Sequence, residues 1–340
     1  MRTADFDYHL PQDRIAQTPV TPRHDSRLMI VDRQAGTIAH TTFWNIDQLL
    51  HPGDVLVINE TRVIPARIYA HKQPGGGKVE LLLLEKEDDL TWTALGGGKG
   101  LTQGRPLTIE DGPGAEIIQV LDGPKRRVRF DVPIEPFFDR IGNVPLPPYI
   151  HAKLDDPERY QTVYAATPGS SAAPTAGLHF TDQLMQKLVD QGILFARVTL
   201  HVGLDTFAPV TEDDPREHKI HTEWCELNPE TAAQINAAKA AGGRVVAVGT
   251  TSVRTLESAA RALDNQEAVA PISGPTDLYI LPGFSFRAVD MMITNFHLPK
   301  STLLMLVSAF TGQELIFKAY QTAIEAGYRF YSFGDAMLIL

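Results

Sequence analysis

Between residues 64 and 150 the chain consists of short β-rich runs separated by turns such as PGGG, GGGKG and EDGPG. The runs span residues 66–70, 79–85, 91–95, 106–109, 116–121 and 127–132. Short strands at near-regular spacing are typical of a small barrel or a sandwich, because each strand turns back quickly to pair with the next. The prolines Pro145, Pro147 and Pro148 favour extended chain and close the segment. The pattern predicts an all-β domain.

The sequence on either side of this segment alternates between strand and helix patterns. Strands are predicted at 54–59, 195–203, 244–249 and 276–280, and helices at 228–242, 251–262, 301–310 and 314–326. Such alternation implies an α/β layer in which much of the sheet is parallel. We therefore predict an α/β body of mixed sheet and flanking helices, formed by residues 1–63 and 151–340 and interrupted by the β domain at 64–150.

The composition is that of a globular chain, since 43% of its 340 residues are hydrophobic and 21% are charged. These values exclude a disordered or fibrous protein. A net charge of −10 argues against a protein that binds nucleic acid over its whole surface. The longest apolar run, 303–310, is too short to cross a bilayer, and the acidic N-terminus does not resemble a secretory signal. With a single cysteine, Cys225, these features predict a cytoplasmic protein with no membrane partner.

One basic run, KRRVR at residues 125–129, lies inside the β segment. A charged strand face exposed to water is the simpler interpretation. A local stripe that contacts phosphate groups is the alternative, and the run alone does not decide between them.

The segment VVAVGTTSVRT predicts a hydrophobic strand that ends at Gly249 and leads directly into a helix. Thr250, Thr251 and Ser252 lie at the start of that helix, where free backbone N–H groups and the helix dipole favour an anion. A carboxylate or a phosphate would fit there, and a plain N-cap is the alternative. Neither a GxGxxG pattern nor a P-loop lysine is present, so an NAD or ATP site is not supported.

Histidines cluster in the second half of the chain, most tightly in the motif HKIHTE at 218–223. A zinc site would need His218, His221 and Glu223 on one side, but neither a helix nor a strand presents all three together. Proton transfer by histidines is the favoured interpretation, because their side chains titrate near neutral pH. An ordinary surface pair remains an alternative.

Two further segments place polar residues among apolar or small ones. The run GSSAAPTAGLHFT at 169–181 would let a ligand approach the backbone closely, although it also suits a tight packing loop. In the second segment, Asn295 and His297 precede a very apolar helix, an arrangement typical of a ligand wall or of core packing. From the residues alone, the chain is predicted to be an α/β enzyme with a histidine-rich anion-binding site.

Taken together, these motifs make the sequence similar to the S-adenosylmethionine:tRNA ribosyltransferase-isomerase family of queuosine biosynthesis. The resemblance extends over essentially the whole chain. It runs through residues 26–28, 53–68, 145–150, 160–165, 169–181, 198–203, 218–223, 248–259, 289–312 and 328–340. Any one of these motifs is weak, but ten in order make a specific match.

The resemblance implies an α/β body with an inserted small β-barrel. It also implies transfer of the ribosyl part of S-adenosylmethionine to 7-aminomethyl-7-deazaguanine at the tRNA wobble position, giving epoxyqueuosine, adenine and methionine. S-adenosylmethionine would then be a consumed co-substrate, and no metal, nicotinamide or other cofactor is required. The implied partners are S-adenosylmethionine and the precursor tRNA, and we expect a monomer.

Site residues are assigned on the basis of the same resemblance. The catalytic candidates are His179, His201 and His221 for acid and base chemistry, with His218 and Glu223 orienting them. The S-adenosylmethionine candidates are Thr175, Gly177, Thr250, Thr251, Ser252, Arg254, Asn295 and His297. Asp290 and Asp335 are weaker candidates for recognition of the sulfonium or of the aminomethyl-ammonium group. The tRNA candidates are Arg62, Arg67, Lys125, Arg126 and Arg127. Rival hypotheses are a metal-dependent hydrolase built on the HKIHTE motif and a non-catalytic tRNA-binding module.

Overall fold

The structure, a computed structural model, describes residues 1–203, 209–261, 263 and 267–340. Its strands are β1 (Arg27–Asp32), β2 (Thr37–Thr42), β3 (Val55–Asn59), β4 (Thr61–Val63), β5 (Arg67–Lys72), β6 (Lys78–Lys86), β7 (Thr91–Gly97), β8 (Arg105–Thr108), β9 (Gly114–Val120), β10 (Lys125–Phe130), β11 (Gly142–Asn143), β12 (Thr167–Ser170), β13 (Leu194–Leu200), β14 (Glu223–Leu227), β15 (Val245–Val248), β16 (Ile272–Thr276), β17 (Met291–Asn295) and β18 (Ala336–Ile339). Its α-helices are α1 (Phe138–Ile141), α2 (Asp182–Asp190), α3 (Pro229–Ala240), α4 (Thr250–Arg261), α5 (Thr302–Thr311) and α6 (Gln313–Glu325). Of the helix predicted at 251–262, residue 262 lies outside the described residues. No helix in the described ranges is long and apolar enough to span a membrane.

The described residues form two compact units. The larger unit comprises Met1–Arg62, Pro148–Thr167 and Ala173–Leu340, and the smaller unit comprises Val63–Pro147 and Pro168–Ala172. The larger unit combines a mixed sheet with helices, whereas the smaller unit is dominated by antiparallel strands. The predicted fold class, an α/β body with an inserted β-barrel, is confirmed.

A nine-stranded mixed sheet lies at the centre of the larger unit, in the order β16-β14-β13-β3-β15-β17-β18-β1-β2. The central strands β13, β3, β15 and β17 are parallel, and antiparallel pairs lie towards both ends. Parallel strands place their carboxyl ends at the same edge of a sheet, where ligands of open α/β sheets commonly bind. The end of β15 and the end of β17 therefore meet at one edge.

The central strands are buried on both faces, as their nearly continuous hydrophobic sequences require. In β3, Val55 and Val57 belong to one apolar core, with buried residues of α3, α4, α5 and α6. Leu56 and Ile58 point the other way, into a second core that includes α2 and Phe43. Alternate residues of a strand face opposite sides, so a single five-residue strand joins the two cores.

One predicted strand is displaced from its expected position. The prediction was 276–280, but the observed strand β16 ends at Thr276. Thr276, Leu278 and Ile280 are all buried, which produces the alternation typical of a strand. Residues 277–280 form no strand, because their backbone does not pair with a neighbouring strand.

The smaller unit contains a closed barrel. Its antiparallel strands follow the order β5-β6-β7-β10-β9-β8, and pairing of β8 with β5 closes the ring. All six predicted runs are strands of this barrel, and β11 adds a short pairing to β5. Closure satisfies the backbone groups that an open sheet leaves at its edges. The barrel, and not the sandwich, is the correct interpretation of the segment.

Candidate active site

A pocket opens at the edge of the sheet where β15 and β17 end. We call it the first pocket. It is lined by Tyr149, Ala173, Pro174, Thr175, Ala176, Val202, Gly249, Thr250, Thr251, Thr294, Asn295, Phe296, His297, Leu298, Ser301, Leu303, Tyr331 and Ser332. Five of the residues assigned to S-adenosylmethionine line it: Thr175, Thr250, Thr251, Asn295 and His297.

The wall at the start of α4 is built by a sharp turn. Gly249 adopts a φ of +88°, which a residue with a side chain rarely adopts, and its N–H donates to Ile293 O at 2.8 Å. The Thr251 hydroxyl is buried and has no hydrogen-bond partner in the protein, although it lies at the N-terminal end of a helix. Ser252 differs, because its hydroxyl donates back to the carbonyl that ends β15, at 2.9 Å. The predicted anion site therefore reduces to Thr250, Thr251 and the backbone around them.

Asn295 connects the first pocket with a buried histidine. Its Oδ1 accepts a hydrogen bond from the Thr175 hydroxyl at 2.8 Å, and its Nδ2 lies 3.2 Å from Nε2 of His179. The other ring nitrogen of His179 lies 2.7 Å from Oγ of Ser26. His179 is therefore behind the wall of the first pocket rather than in its lining.

The wall on the other side of Asn295 is formed by His297. Its Nε2 lies 2.7 Å from the Thr294 hydroxyl, and its backbone N–H donates to the Tyr320 hydroxyl at 2.8 Å. The Tyr8 hydroxyl donates to the His297 carbonyl. Two tyrosines therefore hold the backbone N–H and the backbone carbonyl of His297.

Burial keeps the histidines around this pocket neutral. Desolvation, assisted by the positive charges of Arg329 and Arg23, lowers the pKa of His179 to about 3. Desolvation alone lowers the pKa of His297 to about 3 and also lowers the pKa of His201. At neutral pH these side chains hydrogen-bond as uncharged imidazoles.

A second pocket shares Leu303 with the first. It is lined by His218, Ile220, His221, Glu223, Arg254, Leu278, Tyr279, Ile280, Thr302, Leu303 and Leu306. Four residues assigned from the sequence line this pocket: His218, His221, Glu223 and Arg254. Nine of the thirteen candidates for catalysis and S-adenosylmethionine binding thus line one of two adjoining pockets.

Glu223 and Arg254 form a buried ion pair in the second pocket. The other carboxylate oxygen of Glu223 accepts the Gly203 N–H at 2.9 Å, and Arg254 Nε donates to Leu278 O at 3.1 Å. A buried ion pair needs such additional bonds to offset the loss of hydration. This pair holds β14 and α4 together and places one carboxylate and one guanidinium at the pocket wall.

The two histidines of the HKIHTE motif do not form a metal site with Glu223. Nδ1 of His218 lies 2.9 Å from a carboxylate oxygen of Glu212, and His221 is exposed to solvent. The two imidazole rings are 6.5 Å apart and nearly perpendicular. Among the residues that the structure describes, no group of three or more His, Cys, Asp or Glu side chains is arranged to hold a metal ion.

Four of the residues assigned to catalysis or to S-adenosylmethionine line neither pocket: His179, His201, Gly177 and Ser252. His201 stacks on Trp224 with ring centroids 5.4 Å apart, and its Nδ1 lies 2.8 Å from the Thr61 hydroxyl. Gly177 packs against the Tyr164 hydroxyl so closely that a Cβ atom could not be added. His201 is next in sequence to Val202 of the first pocket, whereas Gly177 serves the packing of its own turn.

The basic residues assigned to tRNA make contacts within their own units. In the larger unit, Arg62 pairs with Glu158. In the smaller unit, Arg67 pairs with Glu80 at 3.0 Å across β5 and β6.

The basic run on β10 is also engaged in internal contacts. Arg127 pairs with Glu87 at 2.6 Å and donates to Gln119. Arg126 donates to three backbone carbonyls, among them that of Leu101 at 2.8 Å. Lys125, the first residue of the strand, is partly exposed. A phosphate group would compete with Glu87 for Arg127.

The two aspartates named as weaker candidates serve the framework of the larger unit. Asp335 accepts backbone N–H bonds from Arg27 and Arg329, and burial raises the pKa of its carboxyl group. Asp290 accepts the Val245 N–H and pairs with Lys239. Neither aspartate lines the first or the second pocket.

Sequence reasoning did not single out several residues of the pocket walls. Tyr149 and Tyr331 line the first pocket with rings 4.7 Å apart, and the Tyr149 hydroxyl lies 2.7 Å from that of Ser332. Tyr331 has a φ of +69°, rare for a residue with a side chain and typical of functional sites. No periodicity marks these residues, because they lie in loops.

Comparison with known proteins shows the family of the chain. Residues 3–339 match the model of the family described as "Queuosine biosynthesis protein". The chain is 52% identical to an S-adenosylmethionine:tRNA ribosyltransferase-isomerase of Symbiobacterium thermophilum and 51% identical to one of Desulfitobacterium hafniense, each over the whole of both chains. It is similar to the crystal structure of the S-adenosylmethionine tRNA ribosyltransferase of Thermotoga maritima, with 38% identity, a TM-score of 0.58, and coverage of 99% of this chain and 100% of that one. The chain therefore belongs to the S-adenosylmethionine:tRNA ribosyltransferase-isomerase family of queuosine biosynthesis, and it is an enzyme of tRNA modification, both transferase and isomerase.

Proposed function

We propose that this enzyme transfers and isomerises the ribose moiety of S-adenosylmethionine onto 7-aminomethyl-7-deazaguanine at the tRNA wobble position. The products are epoxyqueuosine-tRNA, adenine and methionine. S-adenosylmethionine is consumed in this reaction, and no further cofactor takes part.

The observation that carries the proposal is the unpartnered Thr251 hydroxyl at the start of α4 in the first pocket. A buried polar group without a partner is costly unless a ligand satisfies it. The start of a helix favours negative charge, which suits the methionine carboxylate of S-adenosylmethionine. Thr175 and Asn295 supply further hydrogen-bonding groups to the same pocket.

The chemistry begins with removal of a proton from the 5′ carbon, which the adjacent sulfonium makes acidic. Adenine then departs as the sugar opens, and its ring nitrogen must gain a proton from a general acid. The aminomethyl nitrogen of the tRNA base attacks the sugar, the epoxide closes, and the carbon–sulfur bond breaks to release methionine. The proton taken from the 5′ carbon matches the proton given to adenine, and the aminomethyl nitrogen releases one further proton as it forms its bond to carbon, so the cationic sulfonium yields neutral products and one proton.

We assign proton transfer to His201 and His221. Burial lowers the pKa of His201 and so favours the neutral imidazole, which has a free ring nitrogen that can accept a proton. His221 is exposed at the second pocket and can exchange protons with solvent. His218 and Glu223 orient that pocket, while the deeply buried His179 contributes hydrogen bonds and not a proton.

The test of this proposal is incubation of the purified enzyme with S-adenosylmethionine and tRNA that carries the deazaguanine precursor. Release of free adenine and methionine, together with formation of epoxyqueuosine in the digested tRNA, is expected. If His179, His201, His218, His221 and His297 are each replaced by alanine and all five variants release adenine at wild-type single-turnover rates, the assignment of histidine chemistry is wrong.

For the tRNA, we propose phosphate contacts by Arg62, Arg67, Lys125, Arg126 and Arg127. Arg127 offers a sharp test because Glu87 competes for its guanidinium. Arg127→Gln should weaken tRNA binding and reduce the slope of log K against log salt by about one unit, as loss of one phosphate contact does. Glu87→Gln should strengthen binding, since it frees the guanidinium. Equal affinity of both variants and the wild type would leave β10 as solvated surface.

The proposal includes three further assignments, for location, oligomeric state and domain bounds. The enzyme acts in the cytoplasm, where its tRNA substrate is found, and it works as a monomer. Residues 1–63 and 151–340 are proposed as the catalytic body and residues 64–150 as the barrel domain, although Pro168–Ala172 belong to the smaller compact unit. Sedimentation at micromolar concentration checks the monomer, because a dimer would sediment at about twice the mass.

A further inference from the structure

A chain of four side chains leads from the first pocket into the protein, and we call it the Thr175–Ser26 chain. The Thr175 hydroxyl donates to Asn295 Oδ1 at 2.8 Å, Asn295 Nδ2 lies 3.2 Å from His179 Nε2, and His179 Nδ1 lies 2.7 Å from Ser26 Oγ. Ser26, His179 and Asn295 are each less than 5% exposed. Thr175 and Asn295 line the first pocket, whereas His179 and Ser26 lie behind its wall.

The chemistry of the groups fixes the direction of these hydrogen bonds. The amide nitrogen of Asn295 can only donate, so Nε2 of His179 must accept. A neutral imidazole carries one proton, which then lies on Nδ1 and is donated to Ser26. Burial lowers the pKa of His179 to about 3, in keeping with a neutral ring.

The ring of His179 is held in place by packing as well as by hydrogen bonds. It packs on Phe43 with ring centroids 5.1 Å apart. The backbone N–H of Phe43 donates to the carbonyl of Ser26 at 2.8 Å. Ser26 therefore anchors both the edge and the face of the imidazole.

We propose that Ser26 is a positioning residue for the reaction. By accepting a hydrogen bond from Nδ1 of His179, it sets the direction of every hydrogen bond in the Thr175–Ser26 chain. Because Thr175 gives its only proton to Asn295, its remaining lone pairs face the first pocket as hydrogen-bond acceptors. They would bind an N–H or O–H group of S-adenosylmethionine. This role in the reaction rests on the proposed function, but the direction of the hydrogen bonds in the Thr175–Ser26 chain does not.

Removal of the Ser26 hydroxyl should reverse the donor and acceptor roles along the Thr175–Ser26 chain. Without an acceptor at Nδ1, the proton of His179 moves to Nε2 and is donated to the amide oxygen of a rotated Asn295. The amide nitrogen then donates to Thr175, whose hydroxyl must turn its proton towards the pocket. The acceptor that the substrate needs would become a donor.

The experiment combines ¹⁵N NMR of histidine-labelled protein with steady-state kinetics, and His179→Gln assigns the resonances. In the wild type, His179 should be protonated on Nδ1. In Ser26→Ala the proton should move to Nε2, and KM for S-adenosylmethionine should rise about tenfold, the effect of one lost buried hydrogen bond, while kcat changes less. Ser26→Thr keeps an acceptor and should restore both values.

Ser308→Ala is the matched control, since that buried hydroxyl donates only within α5, to Leu304 O. It should leave the tautomer and KM unchanged. A wild-type His179 protonated on Nε2 overturns the proposal, and so does Ser26→Ala with an unchanged tautomer and KM. If Ser26→Ala does not fold, the wild-type tautomer still decides. A wild type that shows the Nδ1 tautomer but releases no adenine would refute the function alone.

Discussion

The Thr251 hydroxyl is the feature at the start of α4 that indicates a ligand-binding pocket and not only a packed helix terminus. It is buried without a partner in the protein. Thr251→Ala should raise KM for S-adenosylmethionine about tenfold, because a hydrogen bond to a charged group is worth roughly 1.5–3 kcal/mol. The free energy of unfolding should fall little, since no internal hydrogen bond is lost. Steady-state kinetics and urea denaturation measure the two effects.

Thr255→Ala is the control on the same helix. The Thr255 hydroxyl is buried too, but it donates to the Thr251 carbonyl at 3.1 Å and does not line the pocket. The control should lose stability and keep its KM. An unchanged KM in Thr251→Ala would contradict a ligand contact at this hydroxyl.

At the same scale, the sequence indicated which residue types matter but not how they are bonded. Thr250, Thr251, Asn295 and His297 were predicted from local motifs, and all four line the first pocket. Ser252, next to them in sequence, turns its hydroxyl back into its own helix. Such a choice depends on rotamers and on neighbours distant in sequence, so a motif cannot determine it.

At the scale of elements, the turn from β15 into α4 depends on Gly249. Its φ of +88° disfavours any side chain, although an added Cβ would have ordinary contacts, at 3.5 Å from Ala176 Cβ. Gly249→Ala should therefore lower the free energy of unfolding by about 1–2 kcal/mol. It should also raise KM for S-adenosylmethionine, because the start of α4 must shift.

Gly242 provides a control with the same backbone constraint. Its φ is +89° and nothing lies within 4 Å of an added Cβ, but it follows α3 and lines neither pocket. Gly242→Ala should lose a similar amount of stability with an unchanged KM. Equal effects of the two variants on KM would show that the turn at Gly249 does not shape the site.

Elements with a strong local pattern were predicted correctly, and those that depend on tertiary context were not. The barrel strands β5 to β10 are bounded by glycine and proline turns that act locally. By contrast, the buried alternation at 276–280 resembled a strand because Leu278 and Ile280 fill the core. Glu223 begins β14, a strand that the HKIHTE motif does not reveal.

At the scale of the whole molecule, the buried histidines make stability depend on pH. The pKa of His179 is about 3 in the folded protein against 6.5 for the unperturbed side chain. The unfolded state therefore binds more protons between these values, and the free energy of unfolding rises with pH. The contribution of His179 is complete above about pH 6.5 and is lost as the pH falls towards 3.

In His179→Gln, the free energy of unfolding should fall less steeply as the pH decreases, by about 1.4 kcal/mol per pH unit within that interval. This difference in slope corresponds to one proton bound on unfolding. Urea denaturation at a series of pH values between 7 and 4 measures the slope. His9→Gln, at an exposed position, should leave the slope unchanged. If His179→Gln and the wild type lose stability in parallel, His179 is not kept neutral by the fold.

Only the fold of the larger unit shows why the assigned residues belong to two pockets. Thr175, Thr251 and Asn295 come from separate segments that meet because β15 and β17 end at one edge of the sheet. Glu223 and Arg254 meet in the second pocket through packing of β14 against α4. The sequence suggested one histidine-rich site, because motif order along the chain carries no information on such distances.

The most direct measurement uses S-adenosylmethionine labelled in two places, with ¹³C in the ribose and deuterium in the methyl group, together with precursor tRNA. Mass analysis of the digested tRNA should find the ribose carbons in the modified nucleoside, and the deuterium should appear only in free methionine. Deuterium in the tRNA, or tRNA without ribose label, would contradict transfer of the sugar.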